Sequence, residues 1–147
     1  MSTTEQQAKL QMVYTLFCDD VRLEVGNKLS LMGVFHQIVV QQFPVTLLKF
    51  AVVSQWRGEG RHMSEVRILT HDRQRAVVLA EPSLFEVAPG GVANNISFFF
   101  NVEFPAPGRY RVQTLVDSTL ADEQELSLLL LDASGAPAPD DASEAVN

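Results

Sequence analysis

From residue 11 onward the chain sets short runs of Val, Leu, Ile and Phe between turn residues every 8–14 positions. That spacing belongs to an all-β domain. In the first run Met12, Tyr14, Leu16 and Cys18 alternate with Val13, Thr15 and Phe17, so both faces are apolar and a central strand is predicted. Asp19-Asp20 ends it, Val21, Leu23 and Val25 alternate with Arg22 and Glu24, and Gly26-Asn27 supplies a turn. Leu29 to Val40 reads as one long strand with a bulge or bend at Gly33, closed by Phe43-Pro44.

Leu47 to Trp56 is the next predicted strand, and Arg57-Gly58-Glu59-Gly60 a flexible connection after it. Residues 65–70 and 76–80 form an outer hairpin around His71-Asp72-Arg73-Gln74, with one charged face. Leu84 to Val87 is a short run between Glu81-Pro82 and Pro89-Gly90-Gly91. In the strongest strand Ile96, Phe98, Phe100, Val102 and Phe104 share one face, which alternation assigns to the core. Pro105-Ala106-Pro107-Gly108 then turns the chain into Arg109–Val116, and Leu126–Leu131 is the last strand. No helical period or internal repeat is visible.

The expectation is a single antiparallel β-sandwich of about seven to nine strands over residues 11–132, with a closed β-barrel as the alternative. Residues 1–10 read as a flexible polar arm and 133–147 as a disordered acidic Ala/Pro tail.

Composition fits that picture: 147 residues and 46% hydrophobic positions suffice for one domain with a real core. No apolar run reaches the roughly 18 residues of a membrane-spanning helix, and the first residues lack the pattern of a secretory signal. Cys18 is the only cysteine, which excludes an intramolecular disulfide and a thiolate zinc cluster. The reading is a soluble cytoplasmic protein. Net charge is −7: residues 1–116 hold all 11 Lys and Arg against 10 acids, and 117–147 hold 8 acids and no base. An acidic balance argues against nucleic acid as ligand. Arg57, Arg61, Arg67, Arg73 and Arg75 read as outward positions on wet faces.

Catalytic patterns are absent. Cys18 ends an apolar strand with no activating helix and reads as a small buried hydrophobe. His36, His62 and His71 are scattered, and His62 and Glu65 fall on opposite faces of a strand, so no metal site and no cofactor is predicted. Asp19-Asp20 reads as a capped turn; calcium held with Asp72, Asp117 or Asp122 is the competing account. Trp56 beside Arg57 is a stacking platform for a sugar or base, set against a place in the core.

Phe17-Cys18-Asp19-Asp20-Val21-Arg22, followed by Gly26-Asn27-Lys28-Leu29-Ser30-Leu31-Met32-Gly33-Val34-Phe35, resembles the opening of a family of small bacterial proteins known only as a domain of unknown function. Pro107-Gly108-Arg109-Tyr110-Arg111-Val112 and Val116-Asp117 resemble that family's closing hairpin. The resemblance spans residues 12–131 and implies a bacterial cytoplasmic β-rich protein; it carries no activity, cofactor or catalytic residue. It draws attention to the polar turn of Asp19, Asp20, Arg22, Asn27, Lys28 and Ser30. The leading functional expectation is a non-enzymatic interaction module that meets a protein partner or itself. A small-ligand or carbohydrate-binding domain using end loops near Asp19, Asp20, Arg22, Trp56 and Arg57 is the second, and an enzyme the third.

Overall fold

The computed structural model describes residues 10–131, which form eight strands and no helix. The strands are β1 (Gln11–Glu24), β2 (Lys28–Phe35), β3 (Gln37–Val40), β4 (Val45–Leu69), β5 (Ala76–Leu79), β6 (Ser83–Phe104), β7 (Gly108–Val116) and β8 (Thr119–Leu130). Hydrogen bonding joins them into one open sheet in the order β2-β1-β4-β7-β8-β3, with β5 and β6 both pairing to β4.

This corrects the expected topology twice. The strands are not all antiparallel, because β3 runs parallel to β8, from Gln37 opposite Ser127 to Val40 opposite Leu130. The sheet is also not a closed barrel, since β2 and β3 are its two ends. The predicted long strand 29–40 breaks at His36, and its halves join opposite ends of the sheet. Alternation continues almost unbroken through that step, so it carries no sign of the change of partner. Of the expected N-terminal arm, residues 1–9 lie outside the described residues, as does the expected tail at 133–147.

β4 organises the molecule. Its first half pairs with β1 on one side, its second half with β7 on the same side, and β6 runs along the other. The Arg57–Gly60 segment is therefore strand and not a flexible connection. A straight strand of this length would separate Phe50 from Ile68 by about 60 Å, yet both lie in one core cluster. The bend falls at Gly58 (φ 147°) and Gly60 (φ 101°), backbone conformations that side chains with a Cβ resist. There Glu59 opposes Ala88-Pro89-Gly90 of β6, since Gly58 faces Gly91 and Gly60 faces Val87. The predicted Pro89-Gly90-Gly91 turn is this bulge inside one long β6.

The main core gathers Phe17, Phe50, Val52, Phe99, Val102 and Phe104 with Val66, Ile68, Tyr110, Val112, Leu126 and Leu128. A second cluster of Cys18, Ala51 and Val53 lies under Tyr14, Val21, Leu29, Leu31 and Ile96. The inward face of β6 therefore differs from the expected one. Phe99 is 3% exposed, whereas Phe98 and Phe100 are 40% and 60% exposed. The cause is Asn101 in the left-handed region (φ 53°), which interrupts period-two alternation, so Phe104 and Val102 face the core and the next inward side chain is Phe99. β4 changes phase at the same level, from Val45 and Leu47 to Phe50 and Val52, and the register between the two strands is kept.

A matching interruption sits on β1 and β2. Phe17 and Phe35 belong to the main core, but Val21 and Leu31 pack with the Cys18 cluster. Gly33 (φ 69°) stands at that level, opposite the Asp19 position. The two interruptions, linked by the Asp20–Lys49 ion pair, form a crease that crosses β2, β1, β4 and β6. A further shift at Val13 separates Met12, which packs with Trp56, from Tyr14 and Leu16.

Candidate functional site

Asp19-Asp20 does not end the first strand as a capped turn: β1 runs through both residues to Glu24, and the crease shows what they do there. A Cβ added to Gly33 would fall on the Asp19 carboxylate, 2.8 Å from its Cγ, so Asp19 occupies the space the glycine vacates. Asp20 Oδ1 accepts the Val21 backbone N–H at 2.9 Å and meets Lys49 Nζ at 2.8 Å. The Lys49 ammonium, then the Val21 N–H, holds that carboxyl below its ordinary range. The ion pair is thus made across to β4 and not within the β1–β2 hairpin. Glu24 instead accepts the Ser30 hydroxyl at 2.7 Å. Arg22, opposite Ser30, is exposed.

Trp56 is 2% exposed, donates its indole N–H to Ser54 Oγ at 2.9 Å and stacks on Phe85 at 5.8 Å. It is a core residue and not a platform. Arg57 beside it is exposed, between Gln11 and Val92. Trp56 lies seven residues along β4 from Lys49, about 23 Å at strand rise. Asp19, Asp20 and Arg22 therefore do not form one site with Trp56 and Arg57. Nor does the fold gather the acids considered for calcium: among the described residues no group of three or more His, Cys, Asp or Glu could hold a metal.

Trp56 does form the floor of a recess of about 190 Å³ with Leu10, His62, Val116, Asp117 and Leu120. His62 Nδ1 lies 2.8 Å from Asp117 Oδ2, and its Nε2 lies 2.9 Å from the Glu59 carbonyl. Burial lowers the imidazole's proton affinity, but the Asp117 and Glu59 bonds outweigh it and the net shift is upward. Both partners accept, so the ring satisfies both only as an imidazolium. Burial likewise pushes Asp117 up, and the His62 and Met63 N–H bonds turn the net shift downward. With both ring nitrogens occupied, His62 has no lone pair for proton abstraction. The pair is a clasp between the β4 bend and the left-handed β7–β8 turn at Asp117-Ser118. Sequence reasoning missed it, because its members are 55 positions apart and no local spacing marks them.

Cys18 is fully buried, and desolvation followed by the neighbouring Asp19 charge raises its thiol. A raised, sealed thiol is a poor nucleophile.

A second recess, of about 260 Å³, opens between the β4–β5 turn and the β6–β7 turn, and its lining includes His71, Asp72, Arg75, Pro105, Pro107 and Arg109. The β4–β5 turn is pinned at two points. Asp72 Oδ1 accepts the Thr70 hydroxyl at 2.7 Å and the Gln74 N–H at 3.0 Å. Arg73 makes two bonds to Glu123, at 2.9 and 2.7 Å. Arg73, then Gln113, pulls the Glu123 carboxyl down to about 2.

The remaining feature is the outer edge of β6. Among the described residues β6 pairs with β4 alone, so its other side presents unpaired backbone groups. Between the 88–90 bulge and Asn101 this edge runs through Val92–Phe100, with Phe98 and Phe100 stacked at 6.2 Å and exposed. Lys49 Nζ lies 5.2 Å from the Phe98 centroid, and Leu48 and Val34 are exposed at 74% and 54%. No charged residue occurs from Val87 to Val102.

Residues 13–129 match a family of unknown function (DUF6941), and the chain belongs to it. No curated protein matches the sequence. Among solved structures the chain is similar to Pseudomonas fluorescens alkylpurine DNA glycosylase AlkC bound to DNA containing an abasic site analog, with a TM-score of 0.53 and 10% identity over 82% of this chain and 30% of that one. It is also similar to a β-glucosidase from Listeria innocua in complex with isofagomine (TM-score 0.48, 12% identity, 81% of this chain and 16% of that one). A further similarity is to a β-glucosidase from Erythrobacter marinus (TM-score 0.47, 15% identity, 65% and 14%). The chain spans less than a third of the length of each, and the likeness to the glycosylase concerns the fold alone. No helix among the described residues is long and apolar enough to cross a membrane.

Proposed function

We propose that this family member is a non-enzymatic interaction module that joins a second copy of itself by strand addition along β6. The observation that carries this reading is the uncharged, aromatic, unpaired edge at Val92–Phe100. Proteins that stay monomeric blunt such edges with short strands, charges, prolines or kinks. The other free strands here follow that rule: β3 and β5 have 4 residues each, and β2 carries Lys28 and the Gly33 kink. The Val92–Phe100 stretch of β6, between Glu86 and Glu103, is the one long uncharged edge segment among the described strands. A second copy suits it because an edge with no charge offers a charged partner nothing to pair with, whereas two apolar edges complement each other about a two-fold axis. A binding role in place of a chemical one is supported by the occupied ring nitrogens of His62 and the sealed Cys18 thiol.

A single strand pair covers a small interface, so the dimer is weak, with Kd in the range of roughly 1–100 µM. Sedimentation velocity over a concentration series tests it. Wild type shifts from monomer to dimer, and Phe98→Lys and Phe100→Lys, both at exposed positions, stay monomeric and folded. A wild type that remains monomeric throughout, or variants that dimerise equally well, overturns the proposal.

A further inference from the structure

The recess between the β4–β5 and β6–β7 turns holds a donor set with no acceptor. Arg111 donates from Nε to the His71 carbonyl at 3.2 Å and from Nη2 towards His71 Nε2 at 3.3 Å. A guanidinium only donates, so Nε2 accepts and the ring proton of His71 sits on Nδ1. That Nδ1–H is buried and unpartnered, and so is the Nε–H of Arg109, on the opposite wall of the same recess. The nearest acid to Arg109 is Glu125, at 3.9 Å from Nη1 and beyond hydrogen-bond reach. Arg75 lines the recess as a third donor. The one carboxylate in the lining, Asp72, is already engaged by the Thr70 hydroxyl and the Gln74 N–H. Of the residues behind the wall, Arg111 is neutralised by Glu123 at 3.5 Å.

Buried N–H groups without an acceptor cost about 1–3 kcal/mol each and point to an unseen oxygen partner. Here two of them belong to residues that, with Arg75, line one concavity, whose lining also includes Pro105 and Pro107. Tyr110 holds the proline wall in place by donating its hydroxyl to the Ala106 carbonyl at 2.5 Å. We propose that this recess is an oxyanion-binding site that takes the phosphate or carboxylate group of a small ligand between His71, Arg75 and Arg109. The assignment uses none of the β6 edge residues and stands apart from the self-association reading.

The test is a heteronuclear NMR titration of the full chain with inorganic phosphate and, separately, acetate, each at ionic strength matched with sodium chloride. The expected result is a saturable shift of the Arg109 Nε–H and His71 ring signals that chloride alone does not produce. The stronger of the two anions then tells whether the natural ligand offers a phosphoryl or a carboxyl group. Arg75→Gln, at an exposed position, and Arg109→Gln each weaken binding about tenfold, the effect of losing one charge-assisted bond. The site is refuted if neither anion gives a saturable shift, or if both variants bind as tightly as wild type.

Discussion

Replacing Phe99 by alanine, beside the same change at Phe100, separates the crease from uninterrupted alternation. Phe99 is 3% exposed and stacks on Phe50 with centroids 5.1 Å apart and rings 12° from parallel. A buried aromatic withdraws roughly 150–250 Å² from water, which at about 25 cal/mol/Å² sets an upper bound of about 4–6 kcal/mol. Core truncations of Phe cost about 3–5 kcal/mol in practice, and that is the loss expected for Phe99→Ala. Phe100 is 60% exposed and leaves no enclosed cavity, so Phe100→Ala costs no more than about 1 kcal/mol. Urea unfolding followed by Trp56 fluorescence measures both, in solutions dilute enough to keep the protein monomeric. Strict alternation requires the reverse order. A loss at Phe100 that equals or exceeds the loss at Phe99 refutes the phase change at Asn101.

Two further outcomes follow from the crease and the clasp. Gly33→Ala must hold a left-handed φ, costing about 1–2 kcal/mol, and displace the Asp19 carboxylate besides; unfolding midpoints should fall, and Asp19→Ala added to it should recover only the steric part. An unchanged midpoint for Gly33→Ala contradicts the crease. The His62–Asp117 pair makes stability pH-dependent. The proton affinity of folded His62 is raised, so its contribution is full below its ordinary value of 6.5 and is lost as pH rises through the folded value. Asp117 is lowered, so its contribution is present above its ordinary value of 3.8 and is lost as pH falls through the folded value. The clasp therefore acts most strongly between these limits, and Asp117→Asn, which tolerates the left-handed turn, should remove the loss of urea midpoint that sets in as pH rises past 6.5. A variant whose midpoint falls as steeply as wild type's argues against the clasp.

Much of the strand content was legible, because a period-two run such as Arg109–Val116, with Tyr110, Val112, Thr114 and Val116 buried, reports burial directly. All-β class follows from such runs, and so does the buried place of Cys18. The order of strands was not legible. Leu29–Val40 reads as one strand, since a change of partner at His36 leaves alternation nearly intact while the chain passes from one end strand of the sheet to the other. Gly58 and Gly60 look like a loop, yet paired glycines also bend a strand without ending it, and only the neighbours β1 and β7 decide between the two. The inward face of β6 was misassigned for a related reason. Asn101 adopts a left-handed backbone inside a strand, and asparagine is tolerant of that conformation without announcing it. Of the candidate site residues, Asp19 and Asp20 read from the sequence as a capped turn, yet both lie inside β1, and their partners Gly33 and Lys49 are set by cross-strand register. Trp56 was ambiguous between core and platform until its indole N–H was found on Ser54.

Amide hydrogen exchange along Val92–Phe100, followed as protein concentration rises, probes the unpaired edge of β6 most directly. In dilute solution the amides turned away from β4 should exchange rapidly, and they should become protected at high concentration while those bonded to β4 stay protected throughout. Protection of this segment that is the same at every concentration would contradict strand addition to a second copy.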